Sequence, residues 1–287
     1  MNETRGLVTD TIAFSNVDGP GNRFAIFLQG CNLDCLACHN PYTIGVCNDC
    51  GDCVEPCPSE ALSITAQGVV WDADSCEQCD TCIDVCPIDA TPKATRRTVE
   101  SLLADIGRAA PFLSGITVSG GEATLQVEFV HALFSAVKQH RDPRISRLTC
   151  MVDTNGMAEP KTWTHLAPVT DGVMVDLKAF DPELHTQMTG SPNDEVLASI
   201  AQLSQMGLLH EVRMLIVAGM NDDEELIRRS GQWLAGIDPS MRLKVMGYRA
   251  YGVRPHDPPL VEPSRNDTEK VAAVLAQESP TFDIVVV

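Results

Sequence analysis

The sequence predicts an α/β chain built around a parallel sheet and interrupted near its start by a small cysteine-rich α+β insertion. Three observations carry this prediction. Apolar strand-like runs alternate with segments of helical period over most of the chain. Eleven of the twelve cysteines fall between Cys31 and Cys86. The stretch from Cys47 to Pro92 is rich in Cys, Asp, Glu and Pro and nearly free of long apolar runs, a texture unlike its surroundings. The chain is therefore read as 1–45, an insertion at 46–93, and a continuation at 94–287.

In chain order, the first strand is expected at 24–29, and Gly30 then opens directly into a loop carrying Cys31, Cys35 and Cys38. Inside the insertion, Cys47, Cys50, Cys53 and Cys57-Pro58 are echoed with identical spacing by Cys76, Cys79, Cys82 and Cys86-Pro87, which points to duplication of a small unit. Between the halves, the runs at 61–64 and 68–71 flank Gln67-Gly68 and predict a hairpin. A helix follows at 98–108, where Val99, Leu102, Leu103 and Ile106 recur at i, i+3, i+4 and i+7. Further strands are expected at 115–119, 147–152, 172–177, 211–217 and 243–246, with helices at 127–138, 195–206 and 222–235. The acidic run Asn221-Asp222-Asp223-Glu224-Glu225 reads as the start of the last of these, because caps and negative charge favour a helix N-terminus. Ligands of such sheets bind beyond the carboxyl ends of the strands, so the residues just after each strand should carry the chemistry.

The 287 residues are 44% hydrophobic and 21% charged, a globular composition that excludes intrinsic disorder and collagen-like structure. A net charge of -18 repels phosphate backbones and anionic headgroups, so neither nucleic acid nor a membrane surface is expected as a partner. No apolar run approaches the roughly 20 residues that span a bilayer, and the residues at 1–5 lack the apolar core of a signal peptide; a cytoplasmic protein is expected. In a reducing compartment, clustered thiols read as metal or cluster ligands rather than disulfides. Cys150 lies in an apolar strand and reads as core, and His131, His140 and His210 have no second ligand candidate.

Three thiolates on a four-iron cubane leave one iron open to a substrate, as catalytic zinc sites keep one position free. A structural zinc completed by His39 is the alternative. The polar segments at the strand ends are Ser119-Gly120-Gly121-Glu122, Asp153-Thr154-Asn155-Gly156 and Met174-Val175-Asp176-Leu177-Lys178. Gly120 and Gly121 allow close backbone approach to a ligand, and Glu122 offers an acceptor to an ammonium group. Asp153 and Asp176 can bind a cation or fix hydroxyls and amines, and Lys178 can pair with one of them or hold a carboxylate. Taken singly, each is also a common turn or cap residue.

The Cys31-x3-Cys35-x2-Cys38 loop after a first strand resembles the radical S-adenosylmethionine (SAM) superfamily, which implies a partial (βα)6 barrel. Asp18-Gly19-Pro20-Gly21-Asn22-Arg23 and Cys38-His39-Asn40-Pro41 resemble the N-terminal signature of glycyl-radical enzyme activases, and the insertion is most similar to the YjjW-type group of these. The resemblance implies reductive cleavage of SAM to a 5′-deoxyadenosyl radical, which abstracts hydrogen from a backbone glycine of a partner glycyl-radical enzyme. It implies SAM contacts from Gly120, Gly121, Glu122, Asp153, Asn155, Asp176 and Lys178; Arg249, outside the family pattern, is expected to contact SAM or the incoming peptide. A monovalent-cation site formed by Asp153, Thr154, the Met174 carbonyl and Asp176 is implied beside SAM.

The repeated C-x2-C-x2-C-x3-C-P run resembles bacterial two-cluster ferredoxins, in which the fourth cysteine of each run ligates the other cluster. That implies Cys47, Cys50, Cys53 and Cys86 on one 4Fe-4S cluster and Cys76, Cys79, Cys82 and Cys57 on the other. The chain would then hold three clusters, with flavodoxin or ferredoxin as electron donor. Two four-thiolate zinc sites, or clusters with a purely structural role, remain alternatives for the insertion. Ala37 departs from the family, in which an aromatic residue near the adenine often stands just before the third cysteine. Arg249 stands where related activases carry a histidine, and Arg213 matches a basic family residue at the barrel mouth. A radical SAM enzyme with another substrate, and a noncatalytic electron carrier, are the competing functions; the second leaves the Cys31–Cys38 loop unexplained.

Overall fold

The computed structural model describes residues 4–287; residues 1–3, part of the stretch on which the leader expectation rests, lie outside the described residues. The chain enters as β1 (Arg5–Ser15) and β2 (Arg23–Leu28). The insertion then contributes the hairpin β3 (Leu62–Thr65) and β4 (Gly68–Trp71) and a single turn, α1 (Thr81–Asp84). After it come β5 (Thr95–Thr98), α2 (Val99–Ala109), β6 (Gly115–Gly120), α3 (Val127–Lys138), α4 (Pro143–Ser146) and β7 (Thr149–Thr154). The second half is α5 (Pro160–Leu166), β8 (Gly172–Asp176), α6 (Pro182–Thr189), α7 (Asp194–Gln205), β9 (Leu209–Ile216) and α8 (Glu224–Ile237). β10 (Arg242–Gly247), α9 (Arg265–Glu278) and β11 (Asp283–Val286) close the chain.

One nine-stranded sheet runs in the order β11-β10-β9-β8-β7-β6-β2-β1-β5. Every pairing from β2 to β11 is parallel, and β1 is antiparallel to both β2 and β5. β5 and β11 are the two ends and do not pair with each other, so the sheet does not close on itself. The six expected strands are all present, and the parallel run gains a seventh in β11. Helices cover the sheet through apolar faces such as Phe129, Val130, Leu133, Phe134 and Val137 of α3, which pack into the same core as Ile26, Leu28, Ile116 and Val152. The starts of α2, α6, α8 and α9 are set by side-chain caps: Thr98 accepts from the Ser101 amide, Asp181 and Asp223 each accept from two amides, and Ser264 with Asp267 forms a capping box. Cys150 is fully buried, paired in register with Ile116.

Two local expectations change. The strand expected at 147–152 runs from Thr149 to Thr154, because the Asp142-capped turn of α4 continues until the Leu148 amide bonds back to Ile145. His131 does have a partner, since its ring stacks on that of His165 at 4.3 Å.

The amino ends of the strands are sealed by Arg23, which is fully buried. Its guanidinium donates to Thr117 Oγ1 at 2.6 Å, to the Thr149 hydroxyl and carbonyl at 3.0 Å each, and to the Pro20 carbonyl at 3.2 Å. Burial lowers its pKa to about 10, and the surrounding oxygens are what permit a charge there. The 18–23 segment thus closes the end of the sheet opposite the strand-end motifs. The insertion has only a minor core, Cys53, Leu62 and Cys82 with Val69, Trp71 and Ile83 against them. It leaves and re-enters at neighbouring points, where Thr43 bridges Ala90 and the Gly45 amide donates to the Asp89 carbonyl at 2.9 Å.

Candidate active site at the carboxyl ends of the strands

A cavity of about 480 Å³ opens at the carboxyl ends of β6 to β10. Cys31, Cys35 and Cys38 line one side of it, and their loop is held by backbone bonds on both flanks. The Cys31 amide donates to the Ile44 carbonyl at 3.0 Å, while the Asp34 and Leu36 amides donate to Thr189 and Met188 at 2.9 Å each. Burial pushes the Cys31 thiol up to about 12 and the Cys35 thiol up to about 11, and raises Cys38 as well. These thiols are protonated at neutral pH until a metal displaces their protons. Among the described residues no three His, Cys, Asp or Glu side chains converge on the position of a single ion. Three thiols from one loop facing a cavity lined by no fourth cysteine suit a four-iron cluster with one open iron.

The strand-end motifs face this loop. Gly120 has φ of +116°, and a Cβ there would lie 2.0 Å from the Leu28 amide nitrogen; one on Gly121 would lie 2.2 Å from the Gly30 carbonyl oxygen. The close approach that demands glycine is therefore to the chain leading into the cysteine loop, although both residues also line the cavity. Glu122 is 1% exposed and is not among the lining residues. Its carboxylate accepts from the Thr124 amide at 2.9 Å, from the Thr124 and Thr154 hydroxyls at 2.7 Å each, and from the Asn155 amide at 2.8 Å. Burial raises its pKa while these four donors oppose the rise. In place of an acceptor waiting for a ligand ammonium, the structure has a carboxylate that binds the end of β6 to the end of β7. Asn155 donates to Asn32 Oδ1 at 2.8 Å and lies 3.7 Å from Cys31 Sγ, so it orients the cysteine loop from across the cavity.

Asp153 and Asp176 lie on adjacent strand ends, and each faces a cationic side chain. Asp153 accepts from Arg213 at 2.9 Å and from Ser119 Oγ at 3.0 Å; Asp176 accepts from Lys178 Nζ at 2.7 Å. Burial and the neighbouring Asp176 raise the Asp153 pKa, against the pull of Arg213. Burial lowers the Lys178 pKa, but Asp176 and the Cys35 thiol more than offset this and leave it raised. Arg213 also donates to Glu211 at 2.6 Å and to Met174 Sδ at 2.9 Å, and Glu211 in turn meets Arg242 at 3.3 Å. Thr154 is buried and pledged to Glu122, and Met174 is fully buried. The residues expected to hold a monovalent cation are thus brought together, with their carboxylates already opposed by Arg213 and Lys178.

Arg249 lines the rim, more than half exposed, 3.5 Å from Glu262. With Ala37 in place of an aromatic residue, the apolar wall comes from Leu215 and Met246, at the ends of β9 and β10. Neither was singled out from the sequence, although the strand-end rule points to both. In the insertion, one small cavity is lined by Cys57, Cys76, Cys79 and Cys82, and another by Cys47, Cys50, Cys53 and Cys86, with Cys82 reaching both. The crossed pairing of the two repeats is what brings each fourth cysteine to the other set.

Residues 25–229 match the Radical SAM superfamily. The chain is 30% identical over 250 residues to the pyruvate formate-lyase-activating enzyme of Streptococcus mutans, spanning 86% of this chain and 79% of that one. It is 26% identical over 258 residues to the enzyme of the same name from Staphylococcus aureus, spanning 87% of this chain and 83% of that one. Among solved structures, QueE from Escherichia coli aligns over 99% of this chain and 94% of its own with a TM-score of 0.54 and 12% identity, a likeness of fold. No helix of the described residues is long and apolar enough to cross a membrane. The chain belongs to the radical SAM superfamily and, within it, to the activating enzymes of glycyl-radical enzymes.

Proposed function

We propose that this activase binds SAM at a cluster held by Cys31, Cys35 and Cys38, draws electrons through two further clusters in a ferredoxin-like insertion of YjjW type, and installs a radical on a backbone glycine of its partner. The observation that carries this reading is the placement of three thiols, two strand-end carboxylates and Lys178 around one cavity. When bound, the cluster and SAM supply the one-electron chemistry.

The protein's own residues do the positioning. Lys178, held by Asp176 at 2.7 Å, offers its remaining N–H donors to the methionine carboxylate of SAM, and the Gly120 and Gly121 backbone lines the path of its amino group. Leu215 and Met246 present apolar surface to the adenine, and Asn155 holds the Cys31 side of the loop in place. Arg249 at the rim is placed to contact SAM or the incoming glycine segment. A monovalent cation at Asp153, Thr154, Met174 and Asp176 belongs to this reading and would share its carboxylates with Arg213 and Lys178. Cys47, Cys50, Cys53 and Cys86 would hold one auxiliary cluster and Cys57, Cys76, Cys79 and Cys82 the other, with flavodoxin or ferredoxin as donor.

The test is anaerobic. Iron-reconstituted protein is mixed with SAM, a strong reductant and a candidate glycyl-radical enzyme, and both 5′-deoxyadenosine and the EPR spectrum are followed. A SAM-dependent glycyl doublet, lost together with 5′-deoxyadenosine in Cys35→Ala, supports the proposal. Failure of the loaded protein to form 5′-deoxyadenosine overturns it. Abundant 5′-deoxyadenosine without a doublet on any glycyl-radical enzyme moves the hydrogen source to another substrate.

A further inference from the structure

The segment that follows β10 lies across the cysteine loop. The His256 ring meets the Leu36 carbonyl at 2.7 Å, and a Cβ on Gly252 would lie 2.8 Å from the His39 carbonyl oxygen. Between them, Arg254 reaches three groups at once. It donates to Asp89 of the insertion at 2.9 Å, to the Cys35 carbonyl at 3.2 Å, and to the Asp34 carboxylate. Its side chain is 25% exposed, so these contacts are partly shielded from solvent. Asp34 and Asp89 would repel one another without a cation between them, and the chain carries a net charge of -18 to which both contribute.

Asp89 lies three residues after Cys86, and the Ala90 amide approaches Cys86 Sγ at 3.4 Å. Asp89 also takes a left-handed backbone, φ 49°, and its carbonyl receives the Gly45 amide, one residue from the Ile44 carbonyl that holds Cys31. The Cys86 end of the insertion is therefore joined to the cysteine loop twice, through the backbone from Asp89 to Cys31 and through Arg254 to Cys35. The Cys57, Cys76, Cys79 and Cys82 set has neither link; its cavity is bordered by the hairpin residue Trp71 and by Lys93, which pairs with Asp80 at 2.7 Å.

We infer that Arg254 is a positioning residue that docks the insertion on the cysteine loop, making the Cys47, Cys50, Cys53 and Cys86 set the immediate electron source for the Cys31, Cys35 and Cys38 cluster. The inference rests on the reading that the insertion holds two clusters. An external low-potential one-electron donor protein is oxidised as the insertion is reduced. With Cys47, Cys50, Cys53 and Cys86 holding one cluster and Cys31, Cys35 and Cys38 another, one electron would then pass from the former set to the latter, which would be reduced as the insertion is reoxidised, with no bond formed or broken and no proton moved. Arg254 holds the spacing and does not line the cavity.

The test compares the reconstituted full-length protein with Arg254→Met, Arg254→Lys and Asp89→Asn, the last keeping a residue that tolerates the left-handed backbone. Each is reduced, freed of reductant and mixed with SAM, so that the electrons in the 5′-deoxyadenosine burst come from the protein itself. Amide hydrogen exchange is followed at 34–36 and 86–90. We expect the burst rate to fall on the order of tenfold in Arg254→Met, less in Arg254→Lys and Asp89→Asn, with faster exchange at both segments and unchanged iron. Full iron with an unchanged burst and unchanged exchange in Arg254→Met overturns the docking role. Wild-type iron near four rather than about twelve per chain overturns the two-cluster reading of the insertion and with it this inference, a result the iron count separates from the first.

Discussion

The Asn155 amide donates to the Glu122 carboxylate at 2.8 Å, joining the end of β6 to the end of β7 directly behind the cysteine loop. With the Thr124 amide and two hydroxyls on the same carboxylate, Glu122 acts as an acceptor hub. Glu122→Ala strands two buried backbone N–H groups and should cost about 3 kcal/mol. Glu122→Gln should cost less, since one amide oxygen still accepts while the NH2 faces a donor. Urea midpoints of the metal-free protein measure both, and a loss below about 1 kcal/mol for the alanine variant would mean the hub contributes little.

Arg213 is enclosed by Glu211, Asp153 and Met174 Sδ, with its side chain and that of Glu211 both under 10% exposed. Arg213→Met leaves the half-buried Asp153 carboxylate without its cation and Glu211 with only Arg242, and the expected destabilisation is about 3 kcal/mol. It should also raise the Asp153 pKa further, because burial already raises it and Arg213 is the charge that opposes this. A carboxyl raised in the folded state stabilises below its unfolded pKa and loses that stability as pH rises through the folded value. The variant's deficit should therefore widen between acidic and alkaline pH, and denaturation series at several pH values will show whether it does.

Because the Gly45 amide and Asp89 carbonyl are 2.9 Å apart, the chain can be rejoined there. Replacing 46–88 by two glycines should give a folded protein that keeps the β1–β2 and β1–β5 pairings, with iron falling to about four per chain. SAM cleavage should persist with a small-molecule reductant and be lost with a donor protein. Far-UV circular dichroism, iron content and 5′-deoxyadenosine measure this, and a variant that fails to fold would place the boundary of the insertion elsewhere.

The parallel sheet was legible because its strands are buried on both faces and so appear as continuous apolar runs. Helix α3 was read at its observed bounds, and α2, α7 and α8 within two residues. β1 escaped because its alternation runs against its burial, with Ile12 43% and Phe14 55% exposed. β11 is only four residues long, too short for a periodic signal, yet α9 announced itself by Ser264 and Asp267 and was still missed. The strand-end residues of the site followed from one topological rule. What they do did not, because sequence cannot tell a carboxylate that faces a ligand from one that ties two strands, as Glu122 does. Arg254 carried no local signal at all, since Asp34 and Asp89 meet it across 220 and 165 residues of chain.

The unpaired edges of β5 and β11 impose a condition on whatever the cavity serves. A fully closed cylinder admits a molecule only along its axis, so an internal stretch of a folded protein could enter it only as a doubled-back hairpin. A sheet with a lateral gap can receive such a stretch from the side, with both of its ends still anchored outside. Without that strand pair, the sheet itself does not oblige such a chain to be threaded.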